Sequence, residues 1–232
     1  MTDYRYTVYH VGVHTDEALE LEKAELERVA ARQIVLPKLV TEEDMIEHTR
    51  GADAMVIMES KVTRRVMEAS PNCRIVLRTG VGVDTIDIDA ATDRGIAVVN
   101  VPDLWLREVA NHALALILAC NRRLFILDRS VRAGNWSRII PSPVGSLHGE
   151  TLGLVGLGQI GGRLAKRAAA LELNVAAFDP IAVQSQFDEL GVERVTFEEL
   201  LSRSDYISIH VPLTPDTYRM FDEAAFRQMK ST

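Results

Sequence analysis

Short apolar runs alternate with charged, helix-favouring stretches along nearly all of the 232-residue chain. Residues 4–11, 34–36, 54–58, 75–77 and 96–99 read as strands. Residues 16–31, 62–69 and 86–93 read as helices between them, and Thr41 opens another, with Asp44 placed as a capping-box partner. Beyond residue 150 the alternation resumes. Residues 152–155, 175–178 and 206–210 are strand-like, and residues 159–171 and 222–229 are helical. Thr196 and Glu199 form a second capping box that opens a short helix. Strand, helix, strand, helix is the pattern of a parallel sheet covered on both faces, so the chain is expected to be α/β.

A different segment joins the two blocks. Residues 104–127 form an expected long helix whose apolar face, Leu106, Val109, Ala110, Ala113, Leu114, Ile117 and Leu118, is very broad. Such a helix is expected to be buried between domains or between subunits. Gly134, Pro141, Pro143, Gly145 and Gly149 then mark a loop crossing from one unit to the next. The basic trio Arg163, Lys166 and Arg167 reads as a solvated helix face.

Composition removes several function classes. The chain is 47% hydrophobic and 25% charged, a globular balance rather than a disordered one. A formal net charge of −7 argues against a protein that coats nucleic acid. The longest uninterrupted apolar run, 113–120, is far too short to span a membrane. Cys73 and Cys120 form neither a disulfide scaffold nor a spaced metal motif, and no targeting segment is visible. A cytoplasmic location is expected.

Between the strand at 152–155 and its following helix stands Gly156-Leu157-Gly158-Gln159-Ile160-Gly161. Gly156 allows a tight turn out of the strand. Gly158 lets the backbone approach a pyrophosphate, and Gly161 lets the helix pack close on the strand. The helix N-terminus offers unpaired N–H groups to the phosphates. Asp179 ends the next strand, 18 residues after Gly161, where an acidic side chain accepts hydrogen bonds from the adenosine ribose hydroxyls. A carboxylate repels a 2′-phosphate, and no Arg or Lys follows closely in sequence, so NAD is expected over NADP.

With these residues the chain resembles the D-isomer-specific 2-hydroxyacid dehydrogenases. The matching stretches are R-T-G-V-G-V-D-T-I-D (78–87), G-I-A-V-V-N-V-P (95–102), E-V-A-N-H-A-L-A-L-I-L (108–118) and R-A-G-N-W (132–136), then G-L-G-Q-I-G (156–161), F-D-P (178–180) and H-V-P-L-T-P-D-T (210–217). The first and third also resemble the C-terminal-binding-protein branch, in which the fold serves as an NAD(H)-sensing co-repressor as well as a dehydrogenase. The resemblance implies a flavodoxin-like substrate domain over residues 1–102 and an incomplete Rossmann domain over residues 103–232. It implies that Val81 and Gly82 offer backbone N–H groups to a substrate carboxylate. Gln159 and Ile160 would cradle the pyrophosphate, and His210, Val211 and Pro212 would lie over the cofactor with Thr217 nearby. For Gly82 a simple turn glycine, and for His210 a structural strand-end histidine, stand beside these roles.

The resemblance also implies an Arg that binds the carboxylate and carbonyl, a His that exchanges the proton, and a Glu that raises the basicity of that His. All three are expected beyond residues 210–217, and residues 1–232 do not reach them. No catalytic residue is therefore assigned here, and no metal site. His112 falls within the apolar helix and reads as an interior or interface histidine. The leading expectation is an NAD-dependent enzyme moving a hydride between the nicotinamide and C2 of a small 2-hydroxy or 2-oxo acid, inactive as these residues alone. The alternative is a non-catalytic NAD(H)-binding, co-repressor-like or partner-binding protein; a third reading is an incomplete gene product. The resemblance and the apolar helix together imply a homodimer. Specificity would lie in loops near Glu59–Lys61 and at Trp105.

Overall fold

A computed structural model describes residues 4–136 and 144–231. Pro141 and Pro143 of the expected crossing loop lie outside the described residues, as does Thr232. The chain divides into two compact units, Met1–Leu104 and Trp105–Thr232, each with its own core.

The first unit runs β1 (Tyr6–Val11), α1 (Asp16–Glu27), β2 (Ala31–Leu36), α2 (Glu42–His48), β3 (Ala54–Ile57), α3 (Arg64–Ala69), β4 (Ile75–Arg78), α4 (Ile88–Asp93) and β5 (Ala97–Val99). Its sheet has the order β2-β1-β3-β4-β5 with every pair parallel. This is the flavodoxin-like order. Met55, Ile57, Val66, Met67 and Val76 are fully buried at its centre. Thr41 accepts from the Asp44 N–H while the Asp44 side chain accepts from the Thr41 N–H, as the capping box requires. The first helix ends sooner than its charge pattern suggests. Ala30 turns left-handed (φ 55°), and Ala31 then enters β2 to complete six residues of pairing with β1.

The second unit opens with α5 (Leu106–Asn121) and α6 (Leu124–Arg132). One long helix was expected here; the two are bent by 62° because Arg123 adopts a left-handed conformation (φ 53°). On α5, Leu106, Ala110 and Ile117 are buried, whereas Val109 and Leu116 are exposed. His112, on the outer face of α5, is exposed in this chain rather than interior. Among the described residues no single helix is long and apolar enough to cross a membrane.

There follow β6 (Thr151–Val155), α7 (Gln159–Ala169), β7 (Asn174–Phe178), α8 (Gln184–Leu190), β8 (Glu193–Arg194), α9 (Phe197–Arg203), β9 (Tyr206–Ile209) and α10 (Glu223–Gln228). The sheet order β8-β7-β6-β9, all parallel, is the first part of the Rossmann order. Chain order reverses between β6 and β9, so the carboxyl ends of these two strands border the crevice where such sheets bind ligands. Leu152, Leu154, Leu157 and Leu164 are fully buried beneath it. Among the described residues β9 pairs with β6 alone, and Ile209 is 51% exposed at its end.

Candidate functional site

The glycine-rich turn joins the end of β6 to α7. The Gly156 N–H donates to the Phe178 carbonyl at 2.9 Å, and Gly156 itself has φ +94°. A Cβ there would lie 2.8 Å from the His210 carbonyl oxygen and 2.9 Å from Val211 Cγ1. A Cβ on Gly161 would lie 2.2 Å from the Gly156 carbonyl oxygen. Both positions therefore need glycine for close packing. Gly158 differs: a Cβ there meets no atom within 4 Å, and its own φ is −69°. The space over Gly158 is open, which is the cradle a pyrophosphate needs and a methyl would fill. Just beyond it, the N–H groups of Gln159 and Ile160 begin the 11-residue α7 and donate to no acceptor among the described residues. Those orphan donors and the positive end of the helix dipole suit an anion.

Asp179 closes the turn from the side. Its Oδ2 accepts the Leu157 N–H at 2.8 Å, and its Oδ1 accepts the N–H groups of Ile181 at 2.9 Å and Ala182 at 3.0 Å. Burial on its own would raise this carboxyl, but the three backbone donors and the Arg194 charge outweigh it and hold the group below the usual carboxylate range. A carboxylate has about four acceptor sites, so roughly one is left for a ribose hydroxyl. Asp179 is thus both a turn-former and an available acceptor.

Sequence reasoning missed two neighbours. The Gln186 side chain donates to the Leu157 carbonyl at 2.5 Å, so both backbone polar groups of Leu157 are held. Arg194, remote in sequence, sits near enough to act on Asp179 through β8, which lies beside β7. No local motif marks either residue.

The end of β9 forms the other wall. The His210 N–H donates to the Val155 carbonyl at 2.7 Å. His210 Nε2 is hydrogen-bonded to Ser208 Oγ at 2.9 Å, and burial pushes its imidazole below the ordinary histidine range. Val211 packs against the core, whereas Pro212 is exposed. The Thr217 hydroxyl donates to the Pro212 carbonyl at 2.6 Å and accepts the Thr214 N–H at 2.8 Å, which shapes the segment after the strand. The expected cofactor residues therefore gather at one end of the second sheet.

Val81 and Gly82 lie in the first unit, on the turn that follows β4. Their backbone N–H groups donate to no acceptor among the described residues. The turn's carbonyls are engaged: Gly80 by the Val101 N–H at 3.0 Å, Val81 by Asn100 Nδ2 at 2.6 Å and Gly82 by Arg78 Nη1 at 2.5 Å. A Cβ on Gly82 would lie 2.8 Å from Asp84 Oδ1, the end of an exposed side chain that can move aside, so packing alone does not demand glycine here.

One histidine–carboxylate pair was not foreseen. Buried His10, near the end of β1, places Nδ1 2.5 Å from Glu22 Oε2, and the His14 ring lies 3.7 Å from the His10 ring, centroid to centroid. Among the described residues no group of three or more His, Cys, Asp or Glu is placed to hold a metal ion.

The family profile "D-isomer specific 2-hydroxyacid dehydrogenase, NAD binding domain" matches residues 114–232. The chain is 42% identical over 192 residues to a D-3-phosphoglycerate dehydrogenase of Archaeoglobus fulgidus, covering 82% of this chain and 36% of that protein. It is 41% identical over 193 residues to a glyoxylate reductase of Korarchaeum cryptofilum, covering 81% and 58%. Among solved structures, a D-lactate dehydrogenase from Aquifex aeolicus complexed with NAD and lactic acid superposes with a TM-score of 0.86 at 27% identity, over 96% of this chain and 66% of that one. The apo form of D-lactate dehydrogenase from Escherichia coli gives 0.75 at 30% identity, over 97% and 71%. The chain thus spans little more than a third of the first of these relatives. With the glycine turn, the Asp179 carboxylate and the two sheet orders, these matches place the chain in the D-isomer-specific 2-hydroxyacid dehydrogenase family, with residues 114–232 as its NAD-binding domain.

Proposed function

We propose that the protein is an NAD-dependent oxidoreductase that transfers a hydride between NAD(H) and C2 of a small 2-hydroxy or 2-oxo acid. The observation that carries the reading is the crevice at the β6–β9 reversal, with open space over Gly158, orphan N–H groups on Gln159 and Ile160, and Asp179 beside them. When bound, the nicotinamide supplies the hydride chemistry. The chain's own residues bind and orient. Gln159 and Ile160 hold the pyrophosphate, Asp179 holds the ribose, His210, Val211 and Pro212 border the cofactor, and Thr217 shapes the segment behind them. Val81 and Gly82 direct N–H groups to the substrate carboxylate. The negative charge of Asp179 favours NAD over NADP. Titration with NADH and NADPH tests this; equal affinity for the two would overturn it.

Among the described residues the histidine at this crevice is His210, whose Nε2 is hydrogen-bonded to Ser208. General acid–base help is typically worth about 10²–10⁴-fold, so these residues alone are proposed to bind cofactor without robust turnover. A second reading is an NAD(H)-binding co-repressor-like or partner-binding protein, whose branch the 78–87 and 108–118 stretches also resemble. An NADH-oxidation assay with glyoxylate and hydroxypyruvate separates the two, run on this chain and on any version carrying further residues. Turnover by the longer version supports the enzyme. Tight NADH binding without turnover by either supports the second reading.

We propose further that the protein is a cytoplasmic homodimer. The free thiols Cys73 and Cys120 suit a reducing compartment. Val109 and Leu116 on α5 and Leu124, Phe125 and Val131 on α6 leave apolar surface for a second copy to cover. Sedimentation equilibrium measures the association.

A further inference from the structure

The turn after β4 is held by its carbonyls. Gly80, Val81 and Gly82 present three successive C=O groups, and each accepts a hydrogen bond from a different donor: the Val101 N–H, the Asn100 side-chain amide and the Arg78 guanidinium. Arg78 is anchored in turn, since its Nε donates to the Met58 carbonyl at 3.2 Å. The donors come from the ends of β4 and β5, and Met58 follows β3, so three neighbouring strands of the parallel sheet fix this one turn.

The consequence follows from the geometry of a trans peptide, in which the C=O of one residue and the N–H of the next share a plane and point in opposite directions. The described chain has no cis peptide bond. Fixing the Gly80 carbonyl therefore aims the Val81 N–H. Fixing the Val81 carbonyl aims the Gly82 N–H, and fixing the Gly82 carbonyl aims the Val83 N–H. None of these three N–H groups has an acceptor among the described residues. The carbonyls are turned toward the unit's own donors, and the N–H groups are left facing away from them. Free backbone N–H groups on a fixed turn are available donors to an anion. Asp84 brings a carboxylate to the same glycine, and the Arg78 guanidinium, 3.2 Å from the Cβ position of Gly82, lies there to offset it.

We infer that Asn100 and Arg78 are positioning residues for the substrate carboxylate, acting through the carbonyls of Val81 and Gly82, and that the Val83 N–H is a third donor to it. This rests on the proposed oxidoreductase reading, which places the carboxylate at this turn. Arg78 acts by forking between two carbonyl oxygens, Met58 and Gly82, and not as a free cation. A lysine ammonium keeps the charge but lacks the planar fork that spans both.

Amide NMR of the 232-residue protein, titrated with oxamate in the presence of NADH, tests the inference. The Val81, Gly82 and Val83 amides are expected to shift together. Asn100→Ala and Arg78→Met are each expected to raise the oxamate dissociation constant at least about tenfold, the effect of losing one good hydrogen bond at a fixed site. NADH affinity should stay unchanged, and hydrogen-exchange protection of the β1 and β3 amides should persist. Arg78→Lys should remain as weak as Arg78→Met. Full recovery in Arg78→Lys would mean that the residue acts by charge, and the positioning role would be wrong. If the parent responds and both variants bind oxamate as well as it does, the carbonyl contacts carry nothing, although the carboxylate reading survives. If the parent shows no response at these amides, the carboxylate reading falls and the inference with it. Should Arg78→Met fail to fold, Asn100→Ala and Arg78→Lys decide the matter.

Discussion

The three motif glycines serve different ends, and substitution separates them. Gly158→Ala puts a methyl into open space, so the melting temperature should hold while NADH binding weakens at least about tenfold, or about 1.4 kcal/mol. Gly161→Ala forces a methyl to 2.2 Å from the Gly156 carbonyl oxygen and should destabilise the second unit by about 1–3 kcal/mol. Urea melts with NADH titrations on the same samples check both; a cofactor-competent Gly158→Ala would overturn the phosphate assignment of that glycine. The histidines set an acid limit. His210 is held low by burial; His14 is held low by burial and by His10, against Glu22 and the Leu36 carbonyl. A histidine held low takes up its proton more readily in the unfolded chain. Its contribution to stability is therefore complete above the ordinary value of about 6.5 and declines as pH falls through that value. The urea midpoint should drop between about pH 7.5 and pH 5.5, and the drop should shrink in His210→Gln. At this scale the glycines and Asp179 were legible in the sequence because a tight turn, a close approach and a strand-end carboxylate each demand a residue type. Gln186, Arg194, Arg78 and Asn100 were not legible as neighbours of the sites, because their contacts join residues that only the folded sheets bring together.

Helix α7 ends in a conformation that its sequence does not favour. Glu172 has φ 64°, with its N–H bonded to the Ala169 carbonyl at 3.0 Å and the Leu173 N–H returning to the Ala168 carbonyl at 3.2 Å. A glycine is free of the left-handed cost, so Glu172→Gly should stabilise the second unit by about 1 kcal/mol, read from a urea melt. The ion pair it removes, with His148, is exposed on both sides and contributes little. The strands were the most readable elements: the β3, β4, β6 and β7 segments, buried between helix layers, appear as bare apolar runs. Both capping boxes appear where Thr41 and Thr196 place them. The break between α5 and α6 was not readable, since a left-handed arginine leaves no mark in the pattern and the apolar periodicity continues across it. Helix α8 and the two-residue β8 were also unassigned; a pairing as short as Ala176 with Glu193 and Ala177 with Arg194 exists only because β7 is already in place.

Across the whole molecule, each unit carries its own sheet and core, and the cofactor crevice belongs to the second. Hydrogen exchange with and without NADH should therefore show new protection at Gly158–Gly161, Asp179–Ala182 and Val211–Thr217, with β1 and β2 unchanged. Protection confined to the first unit would contradict the crevice assignment. The all-parallel pairing has a further consequence, for the order in which the protein is made. The Thr151 N–H, at the start of β6, is bonded to Asp205, just before β9 and 54 residues later in the chain. At roughly 5–20 residues per second of synthesis, about 3–11 s separate the appearance of the two. Throughout that interval the β9-facing side of β6, whose Leu152 and Leu154 are destined for full burial, stays open. The cofactor crevice exists only after β9 pairs with β6, so NAD binding reports that β9 has joined and not merely that β6 and β7 have paired.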